Sequence, residues 1–276
     1  MGCNIKKYSI KGVLYVLLIL VFLIYAIPIA WIVLTSFNHD VNSMAIPPRL
    51  FQDFTIDNYI KAFGGRGLRL NFRNSLLISS VSSVLALVIG TPAAYALSRF
   101  RFKLNTPIYM GFMLARVAPA MIIAIPIFVW SRALAVFDTV GLMIFVNSSM
   151  NLAWVVWMMR VFFDDVPLQV DEAALIDGCN KLSCLIRIII PLSMPGLCST
   201  MIFCVITTWN EYFFTLVLTS VRAQNLPAAL TTFTSVYGMN WGQMCAAATV
   251  IMAPVLIFVM FMQKYLIKGF TMGSVK

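Results

Sequence analysis

Few side chains in this sequence could do chemistry, and most of them stand inside apolar runs. Glu211 is the only acid in any such run, flanked by Trp209, Asn210 and Tyr212 and preceded by Thr207 and Thr208. Thr208, Glu211 and Thr215 fall on one side at helical spacing. A carboxylate in an apolar stretch is a functional candidate by default, able to accept hydroxyl groups or to carry a proton or a cation. Arg116, with Pro119 and Pro126 after it, must face protein or water. It is either a group satisfied by carbonyls that Pro119 frees, or part of a polar path, and it could also pair with Glu211. Asn147, Asn151 and Trp154 recur at i, i+4 and i+7 and share one helix face, where amides either line a path or hold helices together.

Other chemistries lack their residues. No GxxxxGK[ST] loop occurs, so the chain cannot hold ATP by that device. His39 is the only histidine, lies outside the apolar runs and has no Ser or Cys nucleophile pattern beside it. The six cysteines, Cys3, Cys179, Cys184, Cys198, Cys204 and Cys245, form no CxxC pair and read as small buried hydrophobes; no metal site is expected. Met1-Gly2-Cys3 is set aside as an acylation signal because Lys6 stands where a myristoylation motif wants Ser or Thr.

These groups must be positioned by membrane helices. With 276 residues, 61% hydrophobic and 11% charged, the chain has too little polar surface to cover a soluble globule. Six runs come near the roughly 20 apolar residues that a span needs: about 12–36, 75–98, 107–131, 140–162, 196–219 and 244–267. None has the alternating pattern of a barrel strand, so the class is an all-α membrane protein. The first run is longer than a signal core and lacks a small-x-small cleavage site. The formal charge of +10 is distributed so that Lys and Arg favour both termini inside, although Arg66, Arg69 and Arg73 beside the second run oppose this. No repeat or linker divides residues 1–276, which are expected to form one domain.

Residues 164–191 are the long polar interruption of the C-terminal half. Pro167 suits a helix start, Asp171 and Glu172 complement the dipole of its first turn, and Gly178 is a natural stop. Val170, Ala173, Ala174 and Asp177 are expected on one face. Adjacent Ala173 and Ala174 leave a low surface that admits another protein's backbone, with the acids flanking the contact. This reads as a docking helix, followed by an apolar run from Leu182 to Ile190 that ends at Pro191.

On these residues the sequence resembles the inner-membrane permease subunits of ATP-binding-cassette importers. Their signature (EAA, three residues, G, nine residues, I, one residue, LP) is met by Glu172, Ala173, Ala174, Gly178, Ile188 and Pro191, with Ile190 in the Leu position. Phe54 to Tyr59, Ala93 to Phe102 and Trp209 to Tyr212 are similar to phrases of the carbohydrate-uptake, maltose-type branch.

The resemblance implies a type I permease fold of six spans, with the coupling helix between the fourth and fifth. It implies a plasma-membrane subunit of an ATP-driven importer, forming half of the path for a sugar or related polyol. The expected partners are a second, paralogous permease, two ATP-binding subunits holding ATP and Mg²⁺, and an extracytoplasmic solute-binding protein. No cofactor is expected on this chain, and no nucleic acid. The ATPase-coupling residues would be Asp171, Glu172, Ala173, Ala174 and Gly178. The path residues would be Arg116, Asn147, Asn151, Trp154, Asn210 and Glu211: amides and a carboxylate for hydroxyl groups, an indole for the apolar face of a sugar ring. Trp209 would stack likewise or pack between helices. The loop from Ser220 to Trp241 resembles the one by which a related permease touches its binding protein, and the tail from Lys268 resembles tails that approach the ATPase. The alternative is a proton- or cation-coupled secondary transporter using Glu211.

Overall fold

Long apolar stretches interrupted by Pro and short polar phrases fold as helices broken where those phrases fall. The computed structural model describes residues 2–39, 54–64, 66–235 and 238–272. Pro47-Pro48, whose ring-locked backbone predicts an extended stretch, and the last residues of the tail, 273–276, lie outside the described residues. The helices are α1 (Gly2–Ser36), α2 (Asp57–Gly64), α3 (Arg66–Arg99), α4 (Asn105–Val117), α5 (Ala120–Ala133) and α6 (Val140–Asp164). They continue as α7 (Leu168–Ile176), α8 (Lys181–Leu192, with a π-turn over Leu185–Ile189), α9 (Met194–Trp209), α10 (Phe213–Leu218), α11 (Leu226–Ala229) and α12 (Trp241–Met272).

Four of these are long and apolar enough to cross a membrane alone: α1 from Lys11, α3 from Leu68, α6, and α12 to Met260. The pairs α4–α5 and α8–α9 qualify only as bent pairs, which brings the number to six. The third span is therefore not the single helix expected over 107–131: α4 and α5 meet at 91°. Pro119 forces this, since it offers no N–H and pushes Ala118 to φ −59°, ψ 133°, outside the helical region. The fifth span also differs from a continuous helix over 196–219, because α9 stops at Trp209 and α10 restarts at Phe213.

The chain forms two compact units, residues up to 66 with 230–253, and 67–229 with the chain from 254 on. In the first, Thr55 Oγ1 accepts the Asp57 N–H at the start of α2, as its place in the sequence suggests. Buried Asn58 on α2 donates to the carbonyls of Ser36 (3.0 Å) and Asn38 (2.7 Å), which ties α2 to the end of α1. A Cβ at Gly242 would lie 2.7 Å from Asn58 Cγ, so only glycine lets α12 start there. Thr234–Ser235 (β1) and Gly238–Met239 (β2) form a minimal antiparallel ladder.

Among the described residues, two cores hold the second unit together. One joins Ala94 and Tyr95 of α3, Val155, Met159 and Phe163 of α6, Ala174 of α7 and Ile189 of α8. The other joins Ile78, Ala124, Met143, Val146, Phe214 and Leu218. A Cβ at Gly90 would meet Val155 Cγ1 at 2.7 Å, marking the closest approach of α3 and α6.

Candidate functional site: a docking helix and a polar cavity

Helix α7 ends in a Schellman motif. Gly178 takes φ +85°, its N–H donates to Leu175 O (3.1 Å), and the Cys179 N–H donates to Ala174 O (3.0 Å). A Cβ at Gly178 would touch nothing within 4 Å, so glycine is there for conformation rather than for room. The faces divide differently from the expected stripe. Val170 is half-buried, and Asp171 and Ala174 are buried, whereas Glu172, Ala173 and Asp177 are exposed and Ile176 is 86% exposed.

Asp171 thus points inward, away from Glu172, because two side chains of α3 claim its carboxylate. The Tyr95 hydroxyl donates to Oδ1 at 2.5 Å, and Arg99 Nε lies 2.9 Å from Oδ2. Arg99 also donates to Val166 O (2.8 Å), and Ser98 donates to Asp164 (2.5 Å). The last turn of α3 is therefore fastened to the start of the coupling loop.

The polar residues inside the spans converge on a second feature, a cavity of about 380 Å³ lined by Arg116, Asn147, Asn151, Trp154, Thr207, Thr208 and Glu211 among apolar groups. Five of the six expected path residues meet there. Asn210 does not: it is exposed, with its amide on Ile206 O. Trp209 is buried edge-on to Phe72, in a packing role.

Local hydrogen bonds hold the lining in place. Asn151 donates to Thr208 Oγ1 (2.8 Å) and accepts from Thr207 Oγ1 (3.2 Å), joining α6 to α9. Asn147 donates to Met143 O within its own helix. Glu211 caps α10, accepting from the N–H groups of Phe214 (2.6 Å) and Thr215 (3.2 Å) and from the Thr215 hydroxyl (2.9 Å). Among the described residues no ion pair joins Arg116 to Glu211; the Arg116 guanidinium lies over the Trp154 ring instead. Phe203 packs on the same indole with centroids 4.1 Å apart, so Trp154 is engaged by protein rather than left as an open stacking face.

Nothing in the sequence singles out Asp138 as a functional residue. Its carboxylate accepts the backbone N–H groups of Ser220, Val221, Arg222 and Ala223 at 3.0–3.2 Å, gathering the loop after α10 into a nest. Burial alone would raise the carboxyl's pKa, but these four donors outweigh it and hold the group below the ordinary carboxylate range. Asp138 stands at φ +58°, which nothing in the local sequence announces beyond the helix-capping Thr139 that follows.

Residues 82–272 match the family model described as the binding-protein-dependent transport system inner membrane component. The chain belongs to this family. Two relatives agree with this transport-component assignment over nearly the full length. A probable ABC transporter permease protein of Sinorhizobium fredii is 35% identical over 92% of this chain and 91% of its own. The diacetylchitobiose uptake system permease protein of Streptomyces coelicolor is 32% identical over 94% of each. Among solved structures, a chain of a bacterial ABC transporter involved in import of the acidic polysaccharide alginate superposes with a TM-score of 0.78 at 23% identity, covering 93% of this chain and 96% of that one. The expected type I permease fold is thereby shown, and this transport component is a multi-pass protein of the inner membrane.

Proposed function

We propose that this chain is one of two permease subunits of an ATP-driven importer for a sugar or related polyol, working as a single transport domain. One observation carries the reading. The signature segment forms a separate short helix at one end of the spans, its inner face fixed by Asp171 and Ala174 and its outer face, with Glu172, Ala173 and Ile176, left free of the chain's own packing. Burying a side chain such as Ile176 against a partner is worth about 2 kcal/mol, and Ala173 lets that partner approach closely. The partner is an ATPase subunit, one for each permease, which carries the ATP and Mg²⁺ that this chain has no loop to hold.

In this reading both termini and α7 are cytoplasmic, and the loop from Ser220 faces a solute-binding protein outside. Nucleotide binding closes the ATPase pair, moves α7 and tilts the spans, and the cavity at Asn151 and Arg116 passes from inward to outward access. The sugar is suggested by the carbohydrate phrases in the sequence and by the diacetylchitobiose relative. The threonines and amides of the cavity offer hydroxyl-matching groups in support. A symporter would need Glu211 to exchange a proton or bind a cation, but here its oxygens cap α10.

The test is co-purification of an ATP-hydrolysing subunit with the tagged full chain from native membranes. The wild type should retain it, whereas Glu172→Lys and Ile176→Asp should lose it while remaining in the membrane. Equal retention in all three would refute the docking assignment.

A further inference from the structure

Helix α3 carries a polar joint at each end. At one, Tyr95 and Arg99, a turn apart, hold the buried carboxylate of Asp171 on α7. At the other, Asn74 Nδ2 donates to the carbonyls of Arg222 (2.9 Å) and Gln224 (3.0 Å), and Ser75 Oγ accepts the Leu226 N–H (2.8 Å). Asn74 and Ser75 are 3% and 2% exposed. Between the joints the helix is uninterrupted despite Pro92, and from Asn74 to Arg99 it spans about 37 Å at the standard rise.

The chain's own connectivity does not predict these attachments. Helix α7 is covalently flanked by α6 and α8, yet its buried carboxylate goes to a helix 76 residues away. The loop follows α10, yet its carbonyls are held from 148 and 150 residues away by the same helix. A pinned carboxylate and a twice-donating amide each have one good geometry, so displacement at either end is passed along the helix rather than absorbed at the joint.

We propose that α3 is a rod through which α7 and the segment Arg222–Leu226 move together, with Asp171 and Asn74 as its positioning residues. This rests on the proposed function, in which the two ends meet the ATPase and the binding protein. The rod would then carry news of nucleotide binding to the docking loop, and of solute delivery back.

The test is amide exchange on the purified full chain in detergent, which needs neither partner. Asp171→Asn should speed exchange at Leu226 about threefold, and Asn74→Ala should speed it at Gly178 and Cys179 by the same factor, because linkage is reciprocal. Exchange in the middle of α6 should not change. Effects confined to each variant's own end would overturn the proposal. Should Asp171→Asn loosen α6 as well, Tyr95→Phe removes one donor and keeps the packed ring; no response at Leu226 in that variant also overturns it. Loss of ATPase retention in Glu172→Lys is a separate readout, so a failed rod and a failed docking assignment are told apart.

Discussion

Asp138→Asn tests whether the carboxylate, rather than the fold around it, holds the loop after α10. Asparagine tolerates φ > 0 nearly as well as aspartate, so the change isolates the charge from the strain at φ +58°. Oδ1 accepts from Ser220 (3.0 Å), Arg222 (3.1 Å) and Ala223 (3.0 Å), and Oδ2 accepts from Val221 (3.2 Å) and Arg222 (3.1 Å). An amide oxygen in the Oδ1 place keeps the first three as neutral bonds, while its NH₂ group faces the N–H of Val221. Charged hydrogen bonds contribute about 1 kcal/mol more than neutral ones. Partial exposure reduces each difference, and with the opposed donors the sum is about 2 kcal/mol, or about thirtyfold in the opening equilibrium. Exposed Arg222 makes the loop a trypsin site, and cleavage of a transiently open segment follows that equilibrium. Cutting at Arg222 should therefore quicken about thirtyfold, with cutting at Arg99 unchanged. Equal rates at Arg222 would refute the reasoning. In the wild type the sign with pH is fixed by the lowered carboxyl. Its contribution is complete above the unfolded value of about 3.9 and is lost as pH falls through the lower folded value, so the loop should resist pepsin until the medium is more acid than about 3.9.

Three further outcomes follow from the geometry. Glu211→Gln should lower thermal stability through loss of the charged cap on α10, by about 1 kcal/mol, and uptake in whole cells should show no dependence on a pH gradient before or after the change; a gradient dependence abolished by the substitution would revive the symporter. Gly90→Ala places a methyl 2.7 Å from Val155 Cγ1 and should cost about 1–3 kcal/mol, seen as a lower melting temperature and recovered on adding Val155→Ala; failure of the pair to recover would mean that α3 and α6 do not meet as described. Gly178→Ala meets no atom and should cost about 1–2 kcal/mol from backbone strain alone, seen as faster exchange at the end of α7, with Gly178→Asn milder than Gly178→Ala.

The sequence made the spans and the docking helix legible because both are local. Apolar run length marks a span, and Pro167, Asp171 and Gly178 mark the ends of α7 within a dozen residues. The inward turn of Asp171 was not legible, since it depends on Tyr95 and Arg99, which reach it only once α3 has packed against α6 and α7. Asp138 escaped for the same reason: its four donors lie more than eighty residues away, and a lone Asp before a capping Thr reads as a turn. Face assignment along α7 failed in part because nine residues are two and a half turns, too few for periodicity to separate Ala173 from Ala174.

The two broken spans explain why the cavity can hold opposite charges without an ion pair between them. Arg116 stands in the last turn of α4, where the helix dipole favours a cation. Glu211 stands just before α10, where N–H groups lack partners and the dipole favours an anion, and it takes two of those N–H groups. Glu211 is thus held by the half-helix that its own break created and the Arg116 guanidinium by the Trp154 face, so neither depends on the other for a partner. A straight third or fifth span would offer no such helix end in mid-span, and burying either charge there would cost several kcal/mol. The Asn210–Glu211 phrase therefore does two things at once: it interrupts the helix, and it frees the N–H groups that the Glu211 carboxylate takes. Because that arrangement leaves Asn151, Thr207 and Thr208 joining α6 to α9 at the cavity wall, a solute's hydroxyls would meet groups already oriented by the protein. Altering Thr208 should accordingly disturb the α6–α9 contact and the lining together, whereas altering Asn210, outside the cavity, should disturb neither.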